Sequence, residues 1–194
     1  MNNNKLEVRD LINVGIFTAI YFCVYFATIM LGYIPIFVVL LGLIAPIMCG
    51  IPFMLYVTKV KKFGMISLTG VILGIIFLLT GSGVIVFLFC AVCGIVGDFI
   101  MKLGRYESWN LTVYGYSIFS LLSLGFYARI YFMRDEFFKT VVEGYGQEYA
   151  DVLSSLTPAW AFPVFGFSCI IGGILGAYLG KKILNKHFKR AGIL

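Results

Sequence analysis

"MNNNKLEVRDLINVGIFTAIYFCVYFATIMLGYIP", residues 1–35, changes texture once. Ten largely polar residues give way at Leu11 to an apolar run of about 20 residues, enough for a helix to cross the hydrocarbon layer of a bilayer. The run lacks a small-residue cleavage site of the A-x-A type, so it reads as a retained first span and not as a removable signal. Gly32–Pro35 is the tight turn that ends it.

The same alternation of apolar run and breaker repeats along the whole chain. Of 194 residues, 61% are hydrophobic and 12% charged, and the mean hydropathy is +0.99, well outside the range of soluble domains. "TGSG" (residues 80–83) reads as a second uncharged turn, and "TKVKKFG" and "KLGRYES" as charged ones. Thr157 and Pro158 read as the N-cap and first residue of a last helix. The pattern predicts an all-α integral membrane protein, a single domain over 1–194, with six transmembrane helices at roughly 11–32, 36–58, 64–80, 83–101, 109–133 and 158–184.

Charge orients this bundle. Lys5, Arg9, Lys59, Lys61, Lys62, Lys102, Arg105, Lys181, Lys182, Lys186, Lys189 and Arg190 fall on one side, leaving Arg129, Arg134 and Lys139 for the other. The positive-inside rule then predicts both termini in the cytoplasm, with the basic tail resting on anionic lipid. The outer side has one long loop, Arg134–Thr157, between helices 5 and 6. Its apolar residues Phe137, Phe138, Val141 and Val142 have helical spacing interrupted by Gly144 and Gly146, which predicts one or two amphipathic helices, either a binding lid or a shield for the bundle.

Much catalytic chemistry is missing. The single histidine, His187, sits in the basic tail, away from any intramembrane serine, and there is no H-E-x-x-H and no P-loop spacing. No metal site and no cofactor is expected. The five cysteines all lie in apolar stretches, and Cys90-x-x-Cys93 falls in mid-span, where packing accounts for it better than a membrane thiol oxidoreductase would. Asp98, four residues before Lys102, is expected to form a local ion pair.

Two features are left to carry function. The outer half gathers amphipathic aromatics and a cation, Tyr33, Tyr127, Arg129, Tyr131, Tyr145, Tyr149 and Trp160, which suit either a headgroup-level belt or a pocket for a flat ligand. Arg129 would either snorkel or meet an anionic ligand group. Small residues also recur at every fourth position, as Gly15-x-x-x-Ala19 continued by Cys23, and as Gly172, Gly176 and Gly180. In lipid, such tracks allow close helix approach, either within the bundle or to a second membrane subunit.

These features, with "RDLINVGIFTAIYF", "VTKVKKFGMISLTGVILGIIFLLTG" and "GGILGAYLGKKILNKHFKRAGI", resemble the substrate-binding S components of energy-coupling-factor (ECF) transporters, in the family labelled Trep_Strep or MptD-like. The resemblance implies a capture subunit in a prokaryotic plasma membrane. Such a subunit binds a micronutrient outside and then docks on a transmembrane coupling subunit served by two ATP-binding subunits; it is not an enzyme. It also implies that Gly15 and Ala19, matching the Ala-x-x-x-Ala motif of S components, touch the coupling subunit. The implied ligand site is the outer region holding Tyr33, Arg129, Tyr131, Glu136 and Trp160. A vitamin-like ring or a haem-like tetrapyrrole would suit those side chains. The alternative is a stand-alone facilitator or secondary transporter, against which stands the shortage of polar residues in the first three spans.

Overall fold

Turn residues and apolar run lengths set the element boundaries. The computed structural model describes residues 6–59 and 61–187, and contains helices and no strand among them. Lys5, Lys189 and Arg190, counted above for orientation, lie outside the described residues. Helix α1 (Val8–Ile29) runs on through a 3-10 turn, Met30–Tyr33, to α2 (Pro35–Lys59). Helices α3 (Met65–Leu79) and α4 (Val84–Leu103) follow. Helices α5 (Trp109–Phe119) and α6 (Leu124–Phe132), joined by a 3-10 turn at Ser120–Ser123, make one span. Two short helices, α7 (Arg134–Tyr145) and α8 (Gln147–Leu156), precede α9 (Ala161–His187).

Five segments are long and apolar enough to cross a membrane: Val8–Tyr33, Pro35–Lys59, Val84–Leu103, Trp109–Phe132 and Ala161–Lys186. The expected third span, 64–80, is found as α3 to within a residue at each end, and it is the shortest of the six segments. Helix α3 is apolar but has 15 residues, about 22 Å at 1.5 Å per residue, short of a roughly 30 Å hydrocarbon layer. Its ends are fixed by glycines in left-handed backbone, Gly64 at φ 101° before it and Gly81 at φ 82° after it. The last helix starts later than Thr157-Pro158 suggested. The Thr157 hydroxyl bonds back to the Leu153 carbonyl at 2.9 Å, finishing α8 instead of capping α9.

At the end carrying the basic loops, carboxylates tie the elements together. Lys62 sits 2.7 Å from Asp10 and 3.5 Å from Glu7, joining the α2–α3 turn to the start of α1, and this pairing raises the Lys62 pKa. Asp98, on α4, is fully buried. It accepts hydrogen bonds from the Gly64 and Ser67 amides, the Ser67 hydroxyl and, at 2.5 Å, the Tyr106 hydroxyl. The expected Asp98–Lys102 pair is therefore corrected: Asp98 caps the N-terminus of α3 from a neighbouring helix, satisfying amides that have no partner inside α3. Lys102 instead lies over the Phe63 ring, 4.2 Å from its centroid.

The interior is aromatic, with the Phe53 ring packed against Tyr21, Tyr116 and Phe119 and Tyr21 also against Phe119. Glycine sets the spacing between α2 and α9. A Cβ at Gly172, Gly176 or Gly180 would come within 2.6, 2.4 or 2.6 Å of the carbonyl oxygens of Leu43, Pro46 and Gly50 respectively. Backbone lies on backbone along this seam. Cys90 and Cys93 are buried, Cys90 against α3, where a Cβ at Gly70 would meet its carbonyl at 2.5 Å.

Candidate functional site

Opposite the basic end, α7 and α8 lie across the mouth of the bundle. Asp135 and Glu136 occupy the first turn of α7, where a helix N-terminus favours negative charge, while Phe137 and Phe138 pack inward. Arg134 anchors the pair: its guanidinium bonds the Thr157 carbonyl and the Ser154 hydroxyl and stacks on Phe138. The Tyr149 hydroxyl donates to the Gly32 carbonyl, pinning α8 to the α1–α2 turn, and burial raises its pKa.

Beneath these helices are two cavities. One, of about 180 Å³, lies between α1, α2 and α6 and is lined by Tyr25, Leu41, Ser123, Phe126 and Tyr127 among others. The second, of about 230 Å³, lies under α7 and α8 and is lined by Thr140, Tyr145 and Tyr149 among others. Both are lined by Val38, Arg129 and Phe137, and neither has a carboxylate in its lining.

Arg129 is the one charged residue common to the two cavities. Its Nη1 donates to the Gly81 carbonyl at 3.0 Å, and no carboxylate pairs with it among the described residues. A half-buried guanidinium has five donors, so most of its hydrogen-bonding capacity is left for water or for an anion within either cavity.

Tyr127 plays a structural part that its aromatic character alone did not signal. Its hydroxyl donates to the Val38 carbonyl at 2.6 Å and accepts from the Gly42 amide at 2.7 Å, the acceptor and donor that an α-helix normally pairs with each other. A cavity-wall side chain thus enters the hydrogen-bond ladder of α2, the helix that also holds Pro46 and Pro52. Side-chain insertion and proline are both recognised sources of helix bending.

The other sequence candidates stand elsewhere. Tyr33 is 60% exposed and Trp160 71% exposed, and neither they nor the exposed Glu136 line the two cavities. Tyr131 braces α6 to α9, donating to the Pro158 carbonyl at 3.0 Å and packing on Phe162. Tyr25, Ser123, Phe137 and Thr140 line the site without having been singled out for it. Tyr25 and Ser123 are interior positions of long apolar runs, and only their mutual hydrogen bond at 3.3 Å marks them as polar wall.

The two small-residue tracks part company. Gly172, Gly176 and Gly180 face α2, which corrects their expected role as a contact for another subunit, because that face is already filled. Gly15, Ala19 and Cys23 are exposed on α1, as is Ala27 one step further, and a Cβ at Gly15 would meet nothing within 4 Å.

A family model described as a hypothetical bacterial integral membrane protein (Trep_Strep) matches residues 8–190, and the chain belongs to that family. No curated protein and no solved structure matches it.

Proposed function

We propose that this member of the Trep_Strep family is the substrate-capture subunit of an ECF-type importer in the plasma membrane. In this reading the chain crosses the bilayer six times, the short α3 making the third crossing together with its flanking turns, both termini lie in the cytoplasm, and the cavities beneath α7 and α8 open outward. They take a micronutrient with an anionic group, which Arg129 pairs. A vitamin-like ring fits between the aromatic walls. A tetrapyrrole would require Phe137, and α7 with it, to swing outward. The loaded subunit then docks on a transmembrane coupling subunit, and two ATP-binding subunits drive release.

The observation that carries this reading is the unfilled small-residue face of α1, Gly15, Ala19, Cys23 and Ala27. Helices gain little from apolar contact in lipid, so a smooth face of this kind favours a helical partner. A stand-alone facilitator has no use for it. Native mass spectrometry of the protein purified from cells grown in rich medium identifies the retained compound, and uptake of that compound is then followed after ATP depletion. The reading predicts loss of uptake with binding unchanged. ATP-independent uptake by this chain alone would contradict it.

A further inference from the structure

The basic end holds another cavity, of about 530 Å³, which shares no lining residue with the two outer ones. Helices α2, α5 and α9 and the α2–α3 and α4–α5 turns line it as an open cleft, and Lys61, Tyr106, Glu107, Trp109, Lys181 and Asn185 stand in its wall. Asp98 fixes that turn through Tyr106, whose backbone is held at φ 58°, an uncommon setting for a bulky side chain. The Tyr106 side of the wall is therefore held in place.

Charge in this cavity is only loosely compensated. The Lys181 ammonium lies 3.9 Å from the centroid of the Trp109 ring, and no carboxylate stands within ion-pair distance of it among the described residues. Lys61 is 3.9 Å from Glu107, with side chains 57% and 72% exposed, a geometry in which an ion pair contributes little. Both ammonium groups can turn to an incoming anion without giving up a strong partner.

The remaining polar groups narrow the ligand. Thr58 and Thr112 also line the cavity, and their hydroxyl protons are given to the carbonyls of Leu55 and Ser108. What they offer a ligand is acceptor lone pairs, suited to hydroxyl groups. Toward the membrane interior, Trp109 packs edge-on against Tyr178 at 5.5 Å, and Tyr178 is 55% exposed. This gives an apolar, aromatic seam between α5 and α9 directly beside the cationic cavity. Phosphate and hydroxyls above with hydrocarbon below is the chemistry of a phosphatidylglycerol-type lipid at the interface.

We propose that this cavity binds the headgroup of an anionic glycerophospholipid, with Lys61 and Lys181 on its phosphate and the Trp109–Tyr178 seam against an acyl chain. Full-length protein is delipidated in detergent and titrated with phosphatidylglycerol, phosphatidylcholine or inorganic phosphate, with bound lipid read by native mass spectrometry. The expected result is a preferred single phosphatidylglycerol adduct that inorganic phosphate does not displace. At about 1 kcal/mol per interfacial lysine, Lys61→Ala with Lys181→Ala should weaken that adduct roughly 30-fold. Lys182→Ala with Lys186→Ala removes the same charge from the same end outside the cavity wall and should leave it within about 2-fold. Lys61→Gln with Lys181→Gln repeats the first test with less change in packing. Equal weakening by both pairs means diffuse electrostatics and overturns the proposal. So does full displacement by inorganic phosphate, or equal binding of phosphatidylcholine.

Discussion

Two helices of this bundle carry the same sequence signature and use it in opposite ways. On α9, Gly172, Gly176 and Gly180 lie on the carbonyls of α2 so closely that a single added carbon would overlap them. On α1, Gly15, Ala19, Cys23 and Ala27 face outward, and Gly15 has open space in front of it. Spacing by four marks a face that something can approach closely, but not what approaches it. The deciding feature is a complement. Helix α2 supplies the carbonyls of Leu43, Pro46 and Gly50 to meet α9, whereas the α1 track is exposed and Gly15 faces no neighbour among the described residues.

The sharpest way to break this contrast is at Gly176. Leucine there would have to displace the Pro46 carbonyl and the Ile47 Cα, neither of which can rotate away, so Gly176→Leu should yield no monodisperse protein in size-exclusion chromatography. Gly176→Ala should cost about 3 kcal/mol, the upper end for overpacking a filled interior, read as a lowered melting temperature in detergent. A Gly176→Leu protein with the parent's elution and melting would mean that the seam is not closed.

Next in size is the effect of Arg129 on binding. If capture and docking occupy separate regions, Arg129→Ala should weaken an anionic ligand by about 2–5 kcal/mol, roughly 30-fold or more, while substitutions on α1 leave affinity alone. Isothermal titration with the compound identified by mass spectrometry checks this. Parent-like affinity would reduce Arg129 to an interfacial anchor.

A smaller effect is expected at Tyr127. Tyr127→Phe removes the hydroxyl bridging Val38 and Gly42 and should destabilise by about 1–3 kcal/mol, unless α2 closes its own ladder over the gap. Amide exchange at Gly42 separates the outcomes, since faster exchange marks an unpaired amide and unchanged exchange a repaired helix. The smallest effect belongs to the outward track: Gly15→Ala should change stability by less than about 0.5 kcal/mol, as at surface positions without partners. A loss as large as that of Gly176→Ala would erase the contrast.

How far the sequence disclosed this arrangement depends on the range of the interaction. Run length and glycine or charged breakers mark the five segments long enough to cross and point to one or two outer helices, of which the structure has two, because those signals are local. The bounds of α3 are legible for the same reason, since Gly64 and Gly81 stand in the sequence where its backbone turns. Asp98 points to Lys102 in the sequence because four residues along a helix is a visible spacing, whereas Gly64 and Ser67 come to it through the fold. Among the outer candidates, Tyr127 and Arg129 reach the cavities and Tyr33, Glu136 and Trp160 do not. An aromatic near a helix end suits a lipid boundary and a pocket equally well, and only packing separates them.

If the α1 face docks another subunit while the α9 face closes the bundle, affinity purification of the tagged protein from native membranes should separate the parent chain from Ala19→Leu. The parent should bring down a multi-span membrane protein together with ATP-binding subunits. Ala19→Leu should lose all of them while keeping the parent's melting temperature and ligand affinity. Recovery of the same ATP-binding subunits at parental levels with Ala19→Leu, or their absence from the parent preparation, would contradict this division between the two faces.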